Sequence, residues 1–468
     1  MPLTDSDLSA PIDWTDPRFH PMLSDLQGHI LKHHGRDHAN HLFLRFGGNA
    51  QQTRTAVARI GKHVLSALDQ LRQVEAHKSP LAQDGGTALF LYLSATGYAK
   101  IGLAPPADPA FRAGMRNRGN LSDPPPATWE EHHAAEVDAL LIIADATDTK
   151  ATAVESNFMP ILTAGGIVVV GRDVGRALKD AGGVGHEHFG YVDGISQPLL
   201  LADDVAREAA QMGTDRWDPA FGPLDAALVR DPGGASPDSF GSYLVYRKLE
   251  QNVRGFKKAE RALATALAIA DDDDQRERAG AMVVGRFENG TPVALSGIDA
   301  PANATNNFNY ALPAGASDPD GRKCPFQAHI RKANPRGDTG DGAGERPHLM
   351  PRRGIPFGER SDDWTDDDDD TKPDRGVGLL FMAFNRDIGR QFEFTQTAWV
   401  DNPDFIFGRG RPGLDPVIGQ GQREPQQWRA AWDDAAGATV AFQFDQFVTL
   451  RGGEYYYAPP ISLLTGLQ

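Results

Sequence analysis

SYLVYRKLEQNVRGFKKAERALATAL, residues 242–267, opens on aromatic and branched side chains that suit a strand and then passes into a long helical pattern. GLLFMAFNRDIGRQFEFTQTAWV, residues 378–400, does the same. The N-terminal half repeats the arrangement. HLFLRF, residues 41–46, is a short apolar run with strand character, followed by Gly47 and Gly48. Beyond them Val57, Ile60, Val64, Leu68 and Leu71 recur every three or four residues, which predicts one face of an amphipathic helix. LFLYLSATGYAKIGL, residues 89–103, is again a strand running into a shorter helix, and further apolar runs occupy residues 140–144 and 167–170. Each half therefore offers a strand with a long helix, then a strand with a second helix, which predicts an α+β fold built by internal duplication. No Gly-rich phosphate turn follows any strand, so a doubly wound parallel sheet is not expected. The boundary falls in PLDAALVRDPGGASPDSFG, residues 223–241, which lacks periodicity and is rich in Pro, Gly, Asp and Ser. It divides the chain into residues 1–230 and 231–468.

Composition narrows the partners. Lys and Arg total 47 against 63 Asp and Glu, a net charge of −16. Such a surface repels phosphate backbones and anionic lipid, which argues against nucleic acid and membranes. No run approaches the roughly 18 apolar residues that span a bilayer. The single cysteine, Cys324, forbids an intrachain disulfide. With an N-terminus, MPLTDSDLSAPIDWTDP, that has neither a basic-then-apolar leader nor a twin arginine, the expected location is cytoplasmic. The oligomeric state stays open, a homo-oligomer included. Two acidic runs, residues 271–274 and 362–374, read as solvated loops rather than calcium or manganese sites, because neither has alternating ligand spacing with a closing Glu.

Three segments carry unusual local chemistry. In GHEHFGYVDGISQP, residues 185–198, Asp193 stands between Gly190 and Gly194 in an otherwise apolar stretch. Those glycines suit positive φ or a close backbone approach to a ligand, but taken alone the segment favours a turn in which Asp193 caps the backbone of its neighbours. In KCPFQAHIRKANPR, residues 323–336, His329 competes with His186, His188 and His348, among 14 histidines, for any metal role. With one cysteine, a thiolate cluster is excluded. In HLMPRRGIPFG, residues 348–358, Arg352 and Arg353 form a basic pair that a surface turn would also explain.

Together these segments resemble the dye-decolorizing peroxidases. FGYVDGISQP extends a GxxDG signature, and AHIRKANPR followed by RRGIPFG resembles the family's proximal-histidine and distal-arginine segments. LQGHILKHHGRDHANHLFL, residues 26–44, and FVTLRGGEYYYAPP, residues 447–460, resemble its first and last strands. The resemblance touches both halves. It implies two ferredoxin-like halves of antiparallel sheet with helices, the first carrying GYVDG, and haem b (iron protoporphyrin IX) held mainly by the second.

By the same resemblance, His329 is the axial iron ligand, and Asp193 and Arg352 are the distal pair. Asp415, with Glu393 as runner-up, is the carboxylate behind the ligand; such a partner raises imidazole basicity. The implied activity reduces hydrogen peroxide and oxidises bulky organic donors, such as dyes and phenols, through a ferryl species. An Asp carries a proton between peroxide oxygens while Arg stabilises charge on the leaving one. A carboxylate with a reference pKa of about 4 is ionised in mild acid, so activity is expected to persist there. Electrons could leave through Tyr455–Tyr457 or one of seven tryptophans. Some family members carry Asn two positions after the arginine, where this chain has Gly354. Two other readings compete: a haem-handling protein of the same fold, and a cofactor-free α+β scaffold in which His329, Asp193 and Arg352 are unrelated in space.

Overall fold

The computed structural model describes residues 2–78, 85–269, 273–301, 304–360, 362 and 368–467. Eight strands dominate it. The first half contributes β1 (His38–Phe46), β2 (Ala88–Leu93), β3 (Ala139–Asp145) and β4 (Ile167–Arg176). The second contributes β5 (Phe240–Gln251), β6 (Ile355–Phe357), β7 (Gly378–Asn385) and β8 (Val448–Ala458). In space the first four run β4-β1-β3-β2 and the second four run β8-β5-β7-β6. Numbered within its own half, each set has the order 4-1-3-2, and every ladder is antiparallel. The duplication expected from sequence is thus a pair of ferredoxin-like sheets. Their outer strands also meet, β4 with β6 through Gly175 and Phe357, and β2 with β8 through Leu93 and Tyr457, so the two sheets close into one barrel.

Side chains alternate along these strands with period two, and both faces are buried on β2 and β3, whereas β4 leaves Val168, Arg172, Val174 and Arg176 exposed. One face, carrying Phe43, Phe90, Ile142, Leu244, Tyr246 and Phe384, fills the barrel. The other, carrying Leu42, Leu91, Ile143 and Val245, packs beneath the helices. Burying each such side chain contributes about 1.5–3 kcal/mol. That double coverage is why β2 and β3 read as nearly unbroken apolar runs.

The helices follow the expected plan with one correction. The spacing from Val57 to Leu71 covers two helices, α1 (Ala50–Gly61) and α2 (Ala67–His77), because Ser66 starts a new one by accepting the Asp69 N–H on its hydroxyl. Val57 and Ile60 pack in the outer layer, whereas Leu68 and Leu71 join the barrel interior, so the apparent single stripe serves two cores. The corresponding long helices elsewhere are α3 (Asp148–Ala164) and α4 (Val253–Ala266). After β7 the chain winds as a wide π-helix over Gly389–Glu393 and Thr395–Val400.

One polar network crosses the barrel. Asp173 of β4 accepts from Lys248 Nζ (2.7 Å) and Tyr246 OH (2.9 Å) of β5, and from His133 Nε2 (3.0 Å). Burial would raise its pKa, but His132, His133 and Lys248 together hold Asp173 far below the usual carboxylate range. Among the described residues no helix is long and apolar enough to cross a membrane. Asp271, Asp272 and residues 363–367 of the acidic runs lie outside the described residues. Of the remainder, Asp369 pairs with Arg261, Asp370 with Lys258 and Asp362 with Arg360.

Candidate functional site

A cavity of about 430 Å³ opens between the distal segment, the ligand segment and the outer face of the second sheet. That volume is in the range of small-molecule and cofactor sites. His329, Asp193 and Arg352 all line it, with Ile195, Phe381 and Val417 among its apolar walls. Three side chains distant in sequence are thus brought to one chamber.

His329 begins a short helix, α5 (His329–Ala333), whose other residues anchor it. Arg331 is fully buried between Asp318 and Asp338, and Lys332 Nζ donates to the carbonyls of Asn402 (2.7 Å) and Gly413 (2.5 Å). The His329 ring therefore stands at the cavity wall with little freedom. Its Nδ1 lies 2.8 Å from Asp415 Oδ2. Burial pushes the Asp415 carboxyl up, but His329 and the amides of Val417 and Ile418 outweigh it and hold the carboxyl below its usual range. An ionised Asp415 fixes the proton on Nδ1, which leaves the Nε2 lone pair free toward the cavity. Glu393 does not share this place. It accepts both Arg118 Nε (2.7 Å) and Nη2 (2.6 Å), together with Tyr455 OH (2.9 Å).

Asp193 sits on the returning arm of a hairpin in which His186 pairs with Val192. Gly190 (φ 104°) and Gly194 (φ 77°) take the left-handed backbone their positions require. The Asp193 side chain is exposed to the cavity mouth, and its Oδ1 accepts the Gly194 N–H at 2.6 Å. Arg352 is fixed by its own N–H donating to Gln197 Oε1 (2.9 Å) and by Nη2 donating to the carbonyls of Ile195 and Ser196, both at 3.3 Å. Burial lowers its pKa, and the neighbouring Asp193 opposes that. At Gly354 an added Cβ would lie 3.1 Å from the Leu380 carbonyl oxygen, which accounts for the missing side chain there.

Sequence reading passed over the charge balance of this chamber. Arg286, Arg336, Arg352 and Arg353 line it, and their guanidinium hydrogen bonds go to carbonyls, an amide and a hydroxyl. Among the described residues none of the four has a carboxylate partner. Burial pushes Arg286 and Arg353 down to about 10 and Arg336 to about 9. Arg336 lies in the quoted ligand segment, but its contacts are set by residues about 30 or 140 positions away.

The competing ligands are otherwise engaged. His186 Nδ1 and His188 Nε2 contact the carbonyls of Gly190 and Phe357. His348 lines the cavity, with Nδ1 on the Arg390 carbonyl and its ring stacked 3.6 Å from Phe394. Two further groups bring potential ligands together. In His29, His33 and His34, the Nδ1 atoms of His33 and His34 accept the N–H groups of Gly35 and Arg36. Those rings therefore present N–H, not a lone pair, at Nε2. In His132, His133 and Asp173, Lys248 already supplies the cation. Tyr455, Tyr456 and Tyr457 are buried, so they do not form a surface exit for electrons. An aromatic chain does lead outward from the cavity: His348 contacts Phe394 and Trp399, Trp399 stacks on Phe405, and Phe405 meets the exposed Phe407.

A closed pair of ferredoxin-like sheets with a carboxylate-backed histidine facing a cationic chamber defines a class, and comparison with known proteins names it. No family model matches the chain. It is 45% identical to the multifunctional dye peroxidase DyP2 of Amycolatopsis sp., over 98% of this chain and 99% of the relative. It is 30% identical to a dye-decolorizing peroxidase of Exidia glandulosa, over 94% of this chain and 86% of that one. The solved structure of DyP2 superposes with a TM-score of 0.93 at 44% identity, over 98% of this chain and 100% of that one. A DyP-type peroxidase of Anabaena sp. superposes over the full length of both chains, with a TM-score of 0.90 at 38% identity. The chain belongs to the dye-decolorizing peroxidase family, and it is a peroxidase.

Proposed function

We propose that this peroxidase binds haem b through Nε2 of His329, reduces hydrogen peroxide with Asp193 and Arg352, and oxidises bulky organic donors such as dyes and phenols. The observation that carries the reading is the His329–Asp415 pair facing the chamber that Asp193 and Arg352 also line. The donor set fits an iron porphyrin. A neutral imidazole nitrogen backed by an ionised carboxylate suits iron. Apolar walls suit the macrocycle, and arginines without carboxylate partners suit its acidic substituents. Of the alternatives, the cofactor-free scaffold required the three residues to be unrelated in space, and they share one cavity.

Bound haem supplies the redox centre at which the O–O bond is cleaved and from which donors are oxidised one electron at a time. The protein's own groups handle protons and charge. Asp193 takes the proton from one peroxide oxygen and delivers it to the other, so that water leaves rather than hydroxide. Arg352, held by the carbonyls of Ile195 and Ser196, stabilises negative charge on the departing oxygen in an enclosed site where such an interaction is strong. Over a cycle, one peroxide and two hydrogen-atom equivalents from donors give two waters. Donors too large for the chamber would pass electrons inward through Trp399, the oxidisable member of the aromatic chain ending at Phe407. We assign haem contact mainly to residues 231–468 and the distal acid to residues 1–230. The single buried thiol supports a cytoplasmic setting.

The test is spectroscopic and kinetic. The haem-loaded protein should show a Soret band and bleach a dye only when peroxide is present. His329→Ala should lose that band on gel filtration. A protein that never acquires the band, or a histidine variant that keeps it unchanged, contradicts the assignment.

A further inference from the structure

The hairpin that carries Asp193 is closed by a side chain outside the distal pair. Glu187 lies at the start of its tip and lines the same cavity. Its N–H donates to the Tyr191 carbonyl (3.0 Å), and its carbonyl accepts the Gly190 N–H (3.0 Å). Its carboxylate then accepts two more amides of the tip, Phe189 N–H on Oε2 (2.9 Å) and Tyr191 N–H on Oε1 (3.0 Å). One residue thus takes part in four backbone hydrogen bonds across a five-residue turn. Two positions later the Asp193 N–H donates to the Gly185 carbonyl (3.0 Å).

The same carboxylate reaches the other half of the molecule. Gln251 Nε2, from the last residue of β5, donates to Glu187 Oε2. The tip residues it organises also dock there: Phe189 stacks on Phe256 of α4 at 3.9 Å, and Tyr191 OH donates to Glu260 of α4 at 2.5 Å. This matters because His329 and Arg352 belong to the second half. The acid and its partners must keep register across two chain halves. Enclosure makes a carboxylate costly at this place, and burial pushes Glu187 up to about 7 against the amide and Gln251 hydrogen bonds that favour the ion.

We infer that Glu187 is a positioning residue for Asp193: its carboxylate staples the distal hairpin and fastens it to Gln251, setting where the Asp193 carboxylate stands over the peroxide site. The inference rests on the reading of Asp193 as the proton carrier. A misplacement of about 1 Å in a catalytic group can cost on the order of 100-fold in rate. Glu187→Ala should therefore lower the second-order rate of the holoenzyme with peroxide roughly 10- to 100-fold. Haem content, Soret position and the rate of the later donor-oxidation step should stay as in the parent. Glu187→Gln keeps one acceptor oxygen, and a flipped Gln251 amide can meet its new NH2, so it should recover part of the loss.

A double-mutant cycle decides the matter, because coupled residues are non-additive. In an Asp193→Asn background, Glu187→Ala should change the peroxide rate less than twofold. If it lowers that rate by the same factor as in the parent, or if neither Glu187 variant slows the peroxide step of the parent, the positioning role is wrong. Should the alanine variant fail to hold haem, the glutamine variant carries the same cycle. If Asp193→Asn itself keeps the parental rate, it is the assignment of Asp193 that fails, and the two failures are told apart by that single measurement.

Discussion

Three residues show how neighbours decide chemistry. Asp415 is fully buried yet held ionised, because His329 and two backbone amides supply the donors that water would otherwise provide. Replacing it by Asn keeps the size and one acceptor but removes the charge. We expect Asp415→Asn to weaken haem retention roughly 10- to 100-fold, the usual consequence of losing a partner behind a metal ligand. Transfer of haem to an excess of a competing apoprotein measures it. On the other side of the chamber, Asp193→Asn should slow peroxide cleavage about 10²- to 10⁴-fold and Arg352→Leu about 10²- to 10³-fold, followed by stopped-flow absorbance. Equal donor-oxidation rates in these variants would place both residues in the peroxide step. The residue types and their order were legible in the sequence. The fixation of Arg352 was not, since Gln197 lies 155 positions away and nothing local points to it.

Elements were legible where one layer covers one pattern and misread where two layers meet. Val57 to Leu71 scans as a single helix, although its two ends face different cores and Ser66 restarts the chain between them. Strand limits, by contrast, follow Gly47 and Gly48 and the acid that ends residues 139–145, because the runs before them are largely buried on both faces. The junctions between elements depend on caps that sequence shows only as polar residues. Asp108 is one of them. It caps the helix Pro109–Ala113 through the Phe111 N–H (2.9 Å), and its other oxygen accepts the Ile388 N–H (2.9 Å) at the start of the π-helix. Asp108→Ala should cost about 1–2 kcal/mol, read as a lowered thermal midpoint, with haem content unchanged.

Across the whole molecule, the repeat of strand and helix showed two similar halves, while their closure into one barrel had no local signature. It depends on single residue pairs between strands far apart in the chain, and on the Asp173 network that spans the interior. Removing Lys248 leaves the buried Asp173 carboxylate without its lysine cation, so Lys248→Met should destabilise the protein by roughly 3–5 kcal/mol. The pH dependence follows from the depressed Asp173 carboxyl. Its stabilisation is fully present above the unfolded pKa of about 4 and is lost as pH falls below it toward the much lower folded value. Thermal melts of Asp173→Asn should begin lower at neutral pH and decline less steeply from about pH 5 downward. An unchanged slope would mean that other carboxylates govern acid unfolding.

Closing the ring has a further effect on how the chain can be handled. A sheet that ends in open strands offers unpaired N–H and C=O groups to any passing chain, and a ring hides them. Cutting the polypeptide near residue 230 would uncover four such rims at once, β4 and β2 on one piece, β6 and β8 on the other. Either fragment made alone would be prone to self-association, and the best available mate for each is its missing counterpart.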